Sequence, residues 1–186
     1  MEDVFFNKEK TLGMKGMAII IMLFHHCFLS GRYTEYEMIF YPLQESFVNQ
    51  LATFSKICVS IFAFLSGYGL YLNYQETKLS DSKWVCTRYI KTFSNYWFVM
   101  ILFSIISQII DNRFISTYFQ KGIVNGIAFF LTDFLGLANL FGTSSLIGTW
   151  WYMSAALVFI LLTPVIAKQE GEKLPLYLVG GWFFYA

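Results

Sequence analysis

Long apolar runs limit what this chain can fold into more strictly than any other feature of its sequence. A helix needs about 20 predominantly apolar residues to cross about 30 Å of bilayer hydrocarbon. Four runs approach this length: Gly16–Ser30, which Leu12 and Gly13 extend, Leu51–Leu72, Thr92–Ile110 and Leu146–Ala167. Of the 186 residues, 56% are hydrophobic and only 13% are charged, whereas a typical soluble domain is about 25% charged. The sequence therefore predicts an all-α, polytopic transmembrane helical bundle, and it excludes a small soluble globule and a disordered chain.

Two further apolar segments do not fit the pattern of a full span. Gly122–Phe141 is long enough to cross but contains Asp133, and Leu174–Ala186 has 13 residues. Cytoplasmic loops of membrane proteins carry an excess of Lys and Arg. If Gly122–Phe141 does not cross, nine of these basic residues lie on the side of the N-terminus and three on the other; if it crosses, the numbers are seven and five. We therefore expect Gly122–Phe141 to be interfacial or re-entrant and the N-terminus to lie inside.

This arrangement gives four full spans plus the start of a fifth at Leu174–Ala186. Since the last apolar run is too short to cross, residues 1–186 are expected to be the N-terminal part of a single transmembrane domain, truncated at its C-terminus.

Charge and cysteine content exclude several kinds of partner and site. The formal net charge is only +1, so no nucleic acid partner is expected. Cys27, Cys58 and Cys86 are odd in number and two lie in apolar runs, which favours reduced packing residues over a disulfide framework. The sequence has no metal-ligand constellation, no phosphate-binding loop and no CxxC pair, so no metal site is predicted.

Two adjacent histidines lie deep in the first run. His25 and His26 follow Lys15 by 10 and 11 residues, which places them roughly 15–17 Å beyond the cytoplasmic edge, near the bilayer midplane. An ionisable group at that depth is costly and suggests a function. Two neutral imidazoles that hydrogen-bond to neighbouring helices would explain the pattern equally well. Neighbouring helix positions point about 100° apart, so both rings cannot face one site.

Three basic residues, Lys15, Arg88 and Lys91, fall at the inner edge of the predicted bundle. Arg88 and Lys91 are three residues apart and share a helix face. Such a cluster can bind a phosphate-bearing ligand, although anchoring of cytoplasmic loops alone also accounts for it.

A few other residues in the runs have two readings. Ser66 and Gly67 allow close backbone approach either to a ligand or to a neighbouring helix, and helix packing is the commoner use. Lys56 lies near the outer end of its run and can reach the interface, so it is assigned no chemistry. Asp133 is either buried and functional or exposed to water at the interface.

Four motifs, in order along most of the chain, resemble the membrane acyltransferase family 3, whose members O-acylate cell-surface sugars. They are Lys15-Gly16-Met17-Ala18 with His26, Phe62-Ala63-Phe64-Leu65-Ser66-Gly67-Tyr68, Arg88-Tyr89-Ile90-Lys91, and Trp151-Tyr152-Met153-Ser154 with Phe159 and Pro164. In the first motif the family histidine follows the basic residue by eleven positions, so His26 rather than His25 is its counterpart.

The chain departs from the family pattern at several positions. The family often has Arg where Lys15 and Lys91 stand, and only Arg presents a planar bidentate fork to phosphate. Pro often occupies the position of Ser94, and some members have acidic residues in place of Ala155 and Ala156. The transmembrane unit of the family also has more helices than this chain supplies.

The resemblance implies an integral membrane acyltransferase. The acyl group, acetyl in the first instance, would come from acyl-CoA as co-substrate, with no bound cofactor. The acceptor would be a hydroxyl of a cell-surface or exopolysaccharide glycan, or of a lipid-linked sugar. The location implied is multi-pass, in the lipid bilayer of a bacterial-type plasma (inner) membrane. A transporter or flippase for a polar or lipid-linked solute, and an inactive truncated fragment, are the alternatives.

The resemblance also implies roles for particular residues. His26 would act as general base on the acceptor hydroxyl, with an acyl-His intermediate as the alternative. The remaining residues would bind coenzyme A phosphates or form the substrate pocket: Lys15, Arg88 and Lys91 for the phosphates, and Ser66, Gly67 and Trp151 for the pocket.

Overall fold

The computed structural model describes residues 8–29 and 38–168, and within these ranges it contains helices and no β-strand. The α-helices are α1 (Lys8–Phe28), α2 (Glu45–Phe54), α3 (Ile57–Gln75), α4 (Asp81–Asp111), α5 (Arg113–Tyr118), α6 (Ile123–Phe134), α7 (Ala138–Phe141) and α8 (Trp151–Ala167). Short 3-10 turns follow α5 and precede α8.

The chain divides into two compact units. The first contains α1, α2 and α3 up to Gly69, and the second runs from Leu70 through α8. Leu174–Ala186, the predicted start of a fifth span, lies outside the described residues.

Four helical segments have the length and composition needed to cross a membrane. They are Glu9–Phe28, Glu45–Gln75, Asp81–Asp111 and Gly148–Ala167. Each coincides with one predicted apolar run, so the all-α fold with four spans is confirmed. The inside location of the N-terminus stays a prediction.

The second span is interrupted where sequence alone predicts a continuous helix. Helix α2 ends at Phe54 and α3 begins at Ile57, with no Pro or Gly between them. The Ser55 hydroxyl donates to the Leu51 carbonyl at 2.8 Å, a backbone contact that bends helices. The Lys56 N–H donates to Thr53 O at 3.2 Å instead of to Ala52 O. The break therefore leaves the Ala52 carbonyl without its usual helical donor.

Helix α4 starts earlier than the apolar run predicts. The run begins at Thr92, but the helix begins at Asp81 and has 31 residues, a length of about 46 Å. Lys83, Arg88 and Lys91, which precede the apolar run, lie on its first three turns, and Arg88 and Lys91 share a helix as predicted. A segment with charged side chains on successive turns has the low hydropathy of a loop. Lys and Arg nevertheless favour a helix as well as most residues do, so the segment can be helical.

Helix α8 runs antiparallel to the first half of α4. Lys168 at the end of α8 forms an ion pair with Asp81 at the start of α4. At the other end, the Trp150 and Tyr96 rings lie with their centroids 5.3 Å apart. If α4 and α8 both cross the bilayer, the segment between them begins and ends on the same side, the side on which α4 ends.

The segment between α4 and α8 also lacks a helix of crossing length. Its longest helix, α6, has 12 residues and spans about 18 Å, against about 30 Å of hydrocarbon. Both observations support the expectation that Gly122–Phe141 makes no full span. Its interfacial or re-entrant position stays a prediction.

The core of the second unit is largely aromatic. Phe93, Tyr96 and Met100 are spaced by three and four residues on one face of α4, and they cluster with Tyr118 and Leu146. Aromatic residues make up 20% of the chain, and part of them pack α4 against α5, α6 and the loop before α8.

The turn after α6 is held closely against α4. The Trp97 indole N–H donates to the Phe134 carbonyl at 2.8 Å, and the two rings stack at 5.2 Å. Gly136 follows with φ of +74°, and a Cβ added there would lie 2.4 Å from the Phe93 ring. Only glycine permits both this backbone conformation and this close approach.

Candidate functional site

Lys15 and His26 lie on the same face of α1. Eleven residues make three helical turns plus about 20°, and they separate the two side chains by about 16 Å along the axis. Lys15 is exposed and His26 is half-buried. The spacing that carries the resemblance therefore has a geometric meaning: one helix face presents a basic group about a third of the way along α1 and an imidazole in its last turn.

His25 faces the helix break between α2 and α3. Its Nδ1 lies 2.7 Å from the Ala52 carbonyl oxygen. A carbonyl oxygen only accepts hydrogen bonds, so Nδ1 carries a proton and donates it. The His25 and His26 rings meet edge to face, with centroids 5.2 Å apart. For His25 this is the hydrogen bond to a neighbouring helix that the sequence left open as one explanation. Its acceptor could not be named from the sequence, because it is a backbone atom 27 residues away.

Ser66 and Gly67 lie in the second half of α3. Gly67 is buried and Ser66 is half-buried. The neighbouring Phe64 and Tyr68 rings stack along the same helix, with centroids 6.1 Å apart. This stretch is therefore partly covered already by the protein, as both helix packing and a pocket wall require.

Arg88 lines a small polar pocket between the end of α3 and the start of α4. The pocket has a volume of about 240 Å³ and is also lined by Asn73, Glu76, Thr77, Leu79, Trp84 and Thr87. The Trp84 indole N–H donates to Asn73 Oδ1 at 3.0 Å, which fixes one wall. Arg88 is half-buried, and within residues 8–29 and 38–168 it forms no hydrogen bond or ion pair. Its guanidinium is available to an anionic ligand.

The other two candidates of this unit do not line the Arg88 pocket. Lys91 is exposed one turn further along α4. Trp151 is the half-buried first residue of α8, and its ring meets that of Tyr152 at 5.9 Å. Lys15, His26, Ser66 and Gly67 belong to the first unit, and Arg88, Lys91 and Trp151 belong to the second.

The comparison with protein families decides the class of this helical chain. The sequence profile of a family described as an acyltransferase domain matches residues 13–186. The chain belongs to the acyltransferase 3 family. No curated protein and no solved structure gives a significant match. Together with the four apolar helices, membership indicates a multi-pass integral membrane acyltransferase.

A buried carboxylate joins three parts of this acyltransferase domain. Asp133 on α6 is only 2% exposed. It accepts hydrogen bonds from the Tyr118 hydroxyl at 2.5 Å, the Tyr96 hydroxyl at 3.2 Å and the Leu146 N–H at 3.2 Å. Burial, and then the bond to Asp133, raise the pKa of Tyr118 above its ordinary value. Of the two readings of Asp133 from sequence, exposure to water is wrong.

The ends of three helices meet at a second polar cluster. The Tyr74 hydroxyl donates to Asp81 Oδ1 at 2.7 Å, and Lys168 pairs with the other carboxylate oxygen. The hydrogen bond to Asp81 raises the pKa of Lys168. These contacts connect the end of α3, the start of α4 and the end of α8 in the acyltransferase domain.

An apolar cleft of about 490 Å³ lies between α4 and α8. Its lining includes Val85, Cys86, Tyr89, Leu157, Leu161 and Pro164, and Asp81 lies at one end.

All three cysteines are free thiols, two of them exposed. No group of His, Cys, Asp and Glu able to hold a metal ion occurs in the part of the acyltransferase domain that the structure describes.

Proposed function

We propose that this protein transfers an acyl group, acetyl in the first instance, from acyl-CoA to a hydroxyl of a cell-surface glycan or lipid-linked sugar. One observation carries the proposal: a chain matching an acyltransferase domain places Lys15 and His26 on one face of an apolar helix of crossing length. The active state is a multi-pass protein of a bacterial-type plasma membrane, with its N-terminus inside.

His26 is the proposed general base. A sugar hydroxyl is too weakly acidic to attack a thioester unless a base removes its proton as the new bond forms. His26 takes that proton, the sugar oxygen bonds to the thioester carbonyl carbon, and the C–S bond breaks. The imidazolium then returns the proton to the leaving sulfur. The products are an O-acyl sugar, coenzyme A thiol and neutral His26.

Arg88 is the proposed main contact for coenzyme A phosphates. It is half-buried in a polar pocket, and a guanidinium can bind phosphate through two parallel N–H bonds. Lys91, exposed one turn away, and Lys15 on α1 add attraction without that geometry. Ser66, Gly67 and Trp151 are proposed to form walls of the substrate pocket.

The test uses membranes from cells that express the full-length protein, incubated with acetyl-CoA labelled in its acetyl group. Label should appear in the carbohydrate fraction, and free coenzyme A should appear in equal amount. Abundant, folded protein that neither consumes acetyl-CoA nor labels carbohydrate would overturn the proposal and favour the transporter or flippase.

A further inference from the structure

We propose that His25 is a positioning residue for His26, and this inference rests on the proposed function. Its Nδ1–H bond to the Ala52 carbonyl fixes the rotation of α1 against the break between α2 and α3. That rotation sets the direction in which the neighbouring imidazole points.

The first step of the argument concerns the acceptor. In an unbroken helix the Ala52 carbonyl would accept from the N–H of residue 56, but Lys56 donates to Thr53 O. Ala52 is fully buried, and a buried carbonyl without a donor destabilises the fold, because it has lost its bonds to water and gained none in return. The bond from His25 Nδ1, at 2.7 Å, supplies the donor that the break removes.

The second step concerns the faces of α1. Ala18, which is fully buried, and His25 are seven residues apart, so they lie within about 20° of each other on the helix. Helix α1 packs against α2, and the His25 contact with Ala52 identifies this face as the one turned toward α2. His26 lies about 100° further round, on the face that carries Lys15. The contact of His25 with Ala52 therefore fixes the face of α1 that packs against α2. His26 points in a different direction, so its face can make other contacts.

The third step concerns sensitivity. A base must lie within hydrogen-bond reach of the proton it removes, and a displacement of about 1 Å can cost about 100-fold in rate. The His25 ring also contacts the His26 ring directly, edge to face at 5.2 Å. Loss of the bond to Ala52 thus affects the base through both the helix rotation and the ring contact.

Two amide substitutions separate positioning from chemistry. In His25→Asn the amide nitrogen is as many bonds from Cα as Nδ1, so it can still donate to Ala52. In His25→Gln the amide nitrogen is as far from Cα as Nε2, so it misplaces the donor. His25→Phe keeps a ring and removes both nitrogens.

The experiment measures acetyl transfer from labelled acetyl-CoA to carbohydrate in membranes, per mole of full-length protein. His25→Asn should keep the maximal rate within about threefold, whereas His25→Gln and His25→Phe should lose about 10- to 100-fold. The KM for acetyl-CoA should stay within about twofold for all three, since donor contacts are untouched.

Three outcomes would overturn the proposal. Equal loss in His25→Asn and His25→Phe would mean that Nε2 itself is required. Wild-type rates in all three would mean that the bond has no role, and a raised KM at unchanged maximal rate would place His25 in donor binding.

If His25→Phe does not accumulate, the comparison of His25→Asn with His25→Gln decides. An inactive wild type would instead overturn the proposed function, so the two failures are distinguishable.

Discussion

At the scale of single residues, the buried carboxylate of the second unit is satisfied by partners distant in sequence. Asp133 depends on Tyr96, 37 residues before it, and on Tyr118, 15 residues before it. A carboxyl group buried in this setting needs several hydrogen-bond partners, because burial of a polar group without them costs several kcal/mol. We therefore assign Asp133 to the stability of the fold and not to acyl transfer.

Asp133→Ala should lower the unfolding free energy by about 2–4 kcal/mol, because it leaves the Tyr118 phenol and the Leu146 N–H without their acceptor. The Tyr96 hydroxyl keeps its bond to the backbone carbonyl of residue 133. Thermal unfolding in detergent checks this. Asp111→Ala, which removes a carboxylate from an exposed ion pair with Arg113, is the matched control and should change stability by less than about 1 kcal/mol. Equal melting temperatures for the two variants would contradict the structural role.

Gly136→Ala should also destabilise the protein, by about 1–3 kcal/mol. The new methyl group would lie 2.4 Å from Phe93 on a backbone with φ of +74°. Gly13→Ala is the control, since an added Cβ there meets no atom within 4 Å and alanine favours the helix by about 0.5–1 kcal/mol. Opposite shifts in melting temperature are expected, and a neutral Gly136→Ala would contradict the close packing.

At the scale of helices, apolar length predicted the spans well and their boundaries poorly. Four runs of crossing length have no alternative in a chain with so few charges, so the four spans follow from the sequence. The start of α4 at Asp81 does not follow from the sequence, because the charged segment that contains Lys83, Arg88 and Lys91 is compatible with an exposed helix and with a loop. The break before Ile57 does not follow from the sequence either, since a serine hydroxyl bonds to the backbone there and a histidine from another helix supplies the donor that the break removes.

The candidate site also has one feature that the sequence predicts and others that it does not. The spacing from Lys15 to His26 is visible in sequence and becomes one helix face once α1 is formed. The role of His25 and the pocket around Arg88 depend on contacts between elements, which local patterns do not encode.

Arg88→Gln should raise the KM for acetyl-CoA about 10-fold or more, because a charge-assisted bond contributes about 1.5–3 kcal/mol. Its maximal rate should change little if Arg88 holds the donor equally in ground and transition states. Lys91→Gln, which alters an exposed side chain outside the pocket, should raise KM by less than about threefold. A larger effect at Lys91 than at Arg88 would contradict the assignment of the pocket.

At the scale of the whole molecule, the antiparallel pairing of α4 and α8 predicts sidedness. The contact of Lys168 with Asp81 places the end of α8 beside the start of α4. In a variant without native cysteines, single cysteines replacing the exposed Lys78 and Lys168 should react with an impermeant thiol reagent from the same side. Cysteines replacing the exposed Asn112 and Thr149 should react from the opposite side.

The predicted orientation adds that Lys78 and Lys168 lie in the cytoplasm. Labelling of Lys168→Cys from the same side as Asn112→Cys would contradict the antiparallel arrangement. Labelling of Lys78→Cys and Lys168→Cys only from outside intact cells would keep the arrangement but invert the orientation.

The central claim is that His26 removes the proton of the acceptor hydroxyl, and the rate of acetyl transfer by His26→Ala tests it most directly. The matched control is Cys27→Ala, which changes the next, exposed side chain of α1. With equal amounts of folded protein, the claim predicts a loss of about 100- to 10,000-fold in maximal rate for His26→Ala and a near-normal rate for Cys27→Ala. A near-normal rate for His26→Ala would contradict it.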